Sequence, residues 1–339
     1  MTTNLYPNDR FGDITNYNLE KDAELEKSWL IEEIVKPELP NIIDNVEKCL
    51  EMLESNQIFK IPITSGSEMV NSPSIRGILA RQGGYILDFQ AVVKFPEFNK
   101  GKQTGFRMNS GRKLPLYQLN NIMVNLQQIL TSLEDIEMIK DVTIFIKTMG
   151  NVLELLTQSI NLLQNPPRGL AFPENSNNAM KEMFQDYSTL SETPQHELSL
   201  ELLLFKNEIS IDFRNLIKVT KKPWCDIDPE TGKSFTDKIK DKLKADRSKN
   251  LADVLKNFGI QIEEHSLFNN LIISAFNTEK TTLVQAQNYL SRCITFNNKV
   301  VMEAEKLAIT TSDPSLISLS SKLNSLENSI SNYYTNLNV

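Results

Sequence analysis

The period of the apolar residues changes along this chain, and that change constrains the fold more than any composition figure does. Between Leu114 and Asn165 the pattern is helical. Leu116, Leu119, Ile122, Leu126, Leu130 and Leu133 recur at three- and four-residue steps and so line one side of a helix. After a short break the seam resumes with Leu153, Leu156, Ile160 and Leu163 and stops at Asn165-Pro166-Pro167. Proline there removes donors and pushes the preceding residue out of the α region. Two helices with narrow apolar stripes need partners.

On either side of these helices the period is two. Phe59, Ile61 and Ile63 alternate with polar or proline positions, and Tyr85, Leu87, Phe89, Ala91, Val93 and Phe95 make a longer run after a Gly83-Gly84 turn. Strands return with Leu198, Leu200, Leu202 and Leu204, a Lys206-Asn207 turn, and Ile209, Ile211 and Phe213. That is a hairpin whose turn sets its register. Strand regions flanking a helical pair imply one sheet domain built from both halves of the chain. The expected fold is therefore α+β, with an antiparallel helical bundle and an antiparallel β-sheet domain, both discontinuous in sequence.

The remaining helices follow from the same reading. Residues 1–20 lack periodicity and read as a mobile tail; a helix begins near Asp22, carrying Leu25 and Trp29, with a kink or break at Pro37 and Pro40. Leu39, Ile43, Val46, Leu50 and Leu53 continue a seam, which suits bundle packing better than a homodimer zipper because it is short. Phe268, Leu271, Ile272 and Phe276 resume apolar structure. Leu283, Ala286, Leu290, Cys293, Asn297, Val300, Ala304 and Leu307 step by three and four, predicting a further bundle helix over 281–309. Asn297 on that seam is either a buried register-setter or an edge position. Ser312-Asp313-Pro314 reads as a helix start, leading into Leu316, Leu319, Leu323, Leu326, Ile330 and Tyr333. The expected partition is 22–55, 115–164 and 268–335 for the bundle, with 58–112 and 168–222 for the sheet.

The net charge of −7 is concentrated: residues 1–56 hold thirteen acids against five bases. Residues 218–256 lean the other way, with eleven Lys and Arg against seven Asp and Glu. An acidic chain with one moderately basic stretch argues against nucleic acid as the partner. Residues 223–266 are a charged, weakly apolar insertion; within it 228–250 read as solvated and mobile, with a docking segment as the alternative, and Lys238 to Lys249 as either a polar helix or disordered. No run approaches the roughly 20 apolar residues of a membrane helix. Met1 to Arg10 show no secretory h-region. Cys49, Cys225 and Cys293 are sparse and scattered, as suits a reducing, cytosolic compartment.

Motifs that carry chemistry are absent or broken. Gly232-Lys233-Ser234 resembles the end of a phosphate-binding loop, but Ile227 stands where that loop needs glycine. Asp226, Asp228 and Glu230 have calcium-loop spacing, with the essential glycine displaced by one. A plain Asp-Pro-Glu-Thr-Gly turn explains both. His196 and His265 lack triad or metal-site companions, and Cys293 lies on an apolar seam. No catalytic, cofactor or metal residues are assigned. The candidates are partner-facing: Trp29, Trp224, Leu316, Leu323, Leu326 and Tyr333.

Several local strings, in order, resemble the Rogdi family. They are Trp29-Leu30; Gly77-Ile78-Leu79 with Gln82-Gly83; Phe95-Pro96; Leu116 to Leu130; Val152-Leu153-Glu154-Leu155-Leu156; Leu170-Ala171-Phe172-Pro173-Glu174; and Met183-Phe184. Asn165-Pro166-Pro167-Arg168 and Thr220-Lys221-Lys222-Pro223-Trp224 place the resemblance nearest the fungal members. The resemblance implies an elongated, curved, non-enzymatic two-domain protein with a bundle and a sheet domain. It further implies a subunit of the RAVE complex that promotes reassembly of the vacuolar proton ATPase from its peripheral and membrane sectors. The implied partners are a large β-propeller subunit, a Skp-type adaptor and the ATPase's peripheral sector, and the implied location is cytoplasmic with peripheral recruitment to vacuolar and endosomal membranes. A coiled-coil adaptor or tether in membrane trafficking is the alternative reading.

Overall fold

A computed structural model describes residues 19–66, 72–246, 250–260, 262–263 and 281–338. In chain order its elements begin with α1 (Leu19–Leu30), a π-helical turn (Ile31–Val35) and α2 (Lys36–Glu54). Strands β1 (Ile58–Gly66), β2 (Ser74–Gln82), β3 (Tyr85–Lys94), β4 (Gln103–Arg107) and the short β5 (Leu114–Pro115) follow. Then come α3 (Tyr117–Ile136), α4 (Val142–Gln164), α5 (Asn178–Met183), α6 (Tyr187–Ser191), β6 (His196–Phe205) and β7 (Glu208–Lys218). The last third holds α7 (Phe235–Ala245), α8 (Leu251–Asn257), β8 (Ile262–Glu263), β9 (Thr281–Thr282) and α9 (Leu283–Arg292). It closes with β10 (Cys293–Phe296), β11 (Lys299–Thr311) and α10 (Pro314–Leu337). The fold is α+β, as the period changes require.

Two compact units divide the chain. The helical unit takes residues 1–55, 119–163 and 314–339, and the sheet unit takes 56–118 and 164–313. In the helical unit, α2 buries Leu39, Ile42, Val46, Cys49, Leu50 and Leu53, and it packs against α10. The matching stripe of α10 is Leu316, Leu319, Leu323, Leu326, Ile330 and Leu337, all buried. The central pair buries Leu119, Ile122, Leu126, Ile129 and Leu133 from α3, and Phe145, Met149, Val152, Leu156, Ile160 and Leu163 from α4. A half-buried polar pair ties them: Asn125 Nδ2 donates to Ser159 Oγ at 3.2 Å. Pro37 and Pro40 do not break the first helix. A π turn just ahead of Pro37 absorbs the displaced backbone bonds, so the helix runs on with its phase shifted.

Among the described residues the sheet unit holds a short parallel pair, β8 with β9, and two larger antiparallel sheets. One runs β1-β2-β3-β4 with β5 on β3, and the other runs β10-β11-β7-β6. Phe89 of β3 and Phe106 of β4 meet Phe213 of β7, with ring centroids 6.2 and 5.3 Å away, and Phe184 closes the cluster. Lys206 and Asn207 both have positive φ, 51° and 64°, which is the two-residue turn a twisted hairpin needs. Gln118 and Asn177 cover the free edge of β6 with side-chain amides. Gln118 donates to Leu204 O at 3.0 Å and accepts from Leu204 N at 2.7 Å. Asn177 does the same across Leu198 O and Leu200 N. Two amides thus replace a missing strand and close an edge that would otherwise template aggregation.

The region expected as a bundle helix over 281–309 is a helix only as far as Arg292. Beyond it the chain forms the β10–β11 hairpin, turning at Asn297-Asn298 with φ of 49° and 57°. The four-three stepping was real as far as α9, but Ile294, Thr295, Val300 and Val301 are β-branched and suit a pleated surface better than a helix. Asn297 is accordingly a turn residue, its Nδ2 donating to Glu197 at 3.2 Å. Phe268, Leu271, Ile272, Phe276, His265 and the tail to residue 18 lie outside the described residues.

The charged stretch also differs from a solvated insertion. Trp224, Ile239, Val254, Leu255, Ile260 and Ala286 form a buried cluster of their own. Trp224 stacks on Tyr289 with ring centroids 4.7 Å apart and meets Phe235 edge-on. Ser234 and Asp237 cap α7 reciprocally, and Asn250 caps α8. Its apolar residues are too few to show a stripe, yet the Trp224 ring gathers them.

Candidate interaction surfaces

The motif fragments resolve into structure. Asp228 Oδ1 accepts from the Glu230 and Thr231 amides at 2.9 and 3.3 Å, and Oδ2 accepts from Lys238 Nζ at 2.5 Å. The lysine contact holds the carboxyl low, at about 2. The Asp228 carboxylate is therefore engaged in the turn and in α7. Ser234 is the α7 cap, and Lys233 pairs with Asp241 at 2.6 Å. His196 Nδ1 sits 2.9 Å from Asn215 Oδ1, with Phe98 edge-on. Burial pushes the Cys49 thiol up to about 11 and Cys293 up to about 12, so neither is a ready nucleophile. Among the described residues no group of His, Cys, Asp and Glu could hold a metal ion.

A charged knot lies in the second sheet. Arg214 Nη2 reaches Asp212 at 2.9 Å and Glu201 at 3.5 Å, Nε reaches Glu303 at 3.3 Å, and the guanidinium lies over Phe172 at 4.5 Å. Burial raises the Glu201 carboxyl, and the Arg214 charge opposes that. Arg81 makes a second buried pair, Nε to Asp313 Oδ2 at 2.5 Å and Nη1 to Gly83 O at 2.6 Å. Each cation is held by partners from separate segments, so these are ties within the unit.

The six partner-facing candidates separate on burial. Leu316, Leu323 and Leu326 are in the bundle core, and Trp224 is fully enclosed. Tyr333 is half-buried, its phenol raised by burial and by the charge of Glu38. Trp29 alone stands well out, 58% exposed, with Leu25 at 59% and Ile34 at 41%. Leu25 and Trp29 are one α-turn apart. The π turn adds a residue to the next one, which brings Ile34 toward the same line. Glu24, Glu26, Glu32 and Glu33 flank this stripe. An apolar ridge with an acidic rim fits a groove with a basic rim.

The sequence of the whole helical and sheet architecture matches the family model described as Rogdi leucine zipper containing protein, over residues 26–338. The chain belongs to the Rogdi family. A relative in Saccharomyces cerevisiae, described as regulator of V-ATPase in vacuolar membrane protein 2, is 52% identical across 99% of this chain and 97% of its own length. Residues 316, 319, 323, 326, 330 and 337 of α10 keep heptad spacing, and all are buried within the chain's own bundle. No described helix is long and apolar enough to cross a membrane.

Proposed function

We propose that this chain is a non-enzymatic subunit of the RAVE complex that promotes reassembly of the vacuolar proton ATPase from its peripheral and membrane sectors. The observation that carries this reading is the 52% identity, over nearly the full length of both chains, to a protein named as a regulator of that ATPase. The geometry supports it in kind. The buried Arg81 and Arg214 are spent on internal ties, and the exposed Trp29 ridge offers the amphipathic surface of a subunit that holds other proteins in register. On this reading the chain is cytoplasmic and joins vacuolar and endosomal membranes peripherally. It binds a large β-propeller subunit and a Skp-type adaptor, and acts on the peripheral sector directly or through them. It needs no cofactor and turns over no substrate.

The test is removal of the protein from cells, followed by glucose withdrawal and restoration. The peripheral sector should return to the membrane slowly or not at all, and the vacuole should stay alkaline, while both sectors are still made. Normal recovery of both readouts would leave a trafficking tether as the better account.

A further inference from the structure

The outer face of the first sheet is basic and exposed. Strand register sets Arg76 beside Val92 in one row and puts Ile78 and Arg107 in the next, with Lys94 and Lys60 in the rows to either side. Ile78 is 53% exposed and Val92 44%. Lys60, Arg76 and Arg107 are exposed, and Lys94 is half-buried. Among the described residues none of the four cations is in an ion pair. Asp88 is the one acid in these rows, and it already accepts from Gln90 at 2.8 Å. Beside Arg107 and Gln90 an open hollow of about 530 Å³ runs toward Asn109 and Gly111. In a chain of net charge −7, four unpaired cations gathered around two exposed aliphatic side chains mark a place built for opposite charge.

We propose that this face docks an acidic, amphipathic segment of a partner protein. Carboxylates of the segment pair with Arg76 and Arg107, and an apolar side chain covers Ile78 and Val92. The hollow takes one further side chain. A protein segment is favoured over an anionic membrane for two reasons. A planar anionic surface feels the charge of the whole acidic chain, whereas a docked segment lies within about 8 Å, the screening length, of the local cations. Ile78 and Val92 also sit on the interior strands β2 and β3 among longer cationic side chains, and do not reach below lipid headgroups. The proposal does not rest on the pump reading.

The experiment uses the full chain in cells, with a photo-crosslinking residue in place of Gln90. The crosslinked peptide should map to another protein, in a segment of net negative charge with interspersed apolar residues. The adduct should vanish in the double variant Arg76→Glu, Arg107→Glu and persist in Arg76→Lys, Arg107→Lys. With the purified chain, a fluorescent peptide of glutamates with leucine at helical spacing should bind in a salt-sensitive way. The Glu variant should bind it at least about tenfold more weakly, with an unchanged melting temperature showing that it is folded. Phosphatidylcholine vesicles carrying phosphatidylserine should not sediment the protein. Crosslinking to lipid, to this chain itself or to a neutral or basic segment would overturn the proposal. So would peptide binding indifferent to the charge reversal, or vesicle binding abolished by it.

Discussion

Gly77 shows how one side chain decides a strand pairing. A methyl group there would lie 2.1 Å from the Gln90 carbonyl oxygen and 2.7 Å from the Ala91 Cα, both backbone atoms that cannot step aside. Gly77→Ala should therefore cost on the order of 2–3 kcal/mol, although alanine is the better residue in most strands. A denaturant melt that leaves the variant as stable as the parent would show that β2 and β3 are not so closely paired. The cysteines make a separate check. Burial raises all three thiols, with Asp226 adding to it at Cys225, but Cys225 is only partly enclosed, so alkylation should label Cys225 first, and slowly at neutral pH, in the native chain. In denaturant all three should react; fast native labelling of Cys49 would put α2 in a different packing. At this scale the sequence says least. Nothing in the composition marks Gln118 or Asn177 as strand substitutes, because an amide's role depends on an edge that only the assembled sheet creates.

Helices and hairpins were more legible than single residues, and the failures have physical causes. The seam Leu119, Ile122, Leu126, Leu133 and the seam Leu156, Ile160, Leu163 are core, as the stepping requires. Ile129 is buried ahead of Leu130, which reflects ordinary drift of a 3.6-residue helix against a seven-residue repeat. The β6–β7 turn was readable because Lys206-Asn207 sits between two alternating runs. Asn297-Asn298 gave the same signal, but the three-four stepping on either side masked it. Leu156→Asp should remove more than about 4 kcal/mol from the helical unit by burying a lone carboxylate. Circular dichroism of that variant should show lost helix with the sheet signal retained; full helicity would mean that α4 is not the core helix described. Trp224→Ala should cost about 3–5 kcal/mol locally, since the ring is the centre of its cluster. Limited proteolysis between Cys225 and Ala245 would report it.

The chain as a whole passes four times from one unit to the other, at residues 55/56, 118/119, 163/164 and 313/314. The helical unit cannot be completed until α10 has been made, because its buried stripe is one wall of the bundle. The proposed docking surfaces were the least legible feature. The basic face becomes visible only when register brings Lys60, Arg76, Lys94 and Arg107, spread over four strands, to one side of a sheet. The Trp29 ridge depends on a π turn that spacing alone does not show. Function came through family likeness, for which the broken motifs left room. The most direct test is to express this chain in yeast lacking the 52% identical relative, and to follow vacuolar pH and peripheral-sector recovery after glucose is restored. The account predicts recovery of acidification and of membrane-bound peripheral sector, with a version ending at Asp313 failing at both. Unrescued cells containing a stable, folded, full-length chain would contradict it.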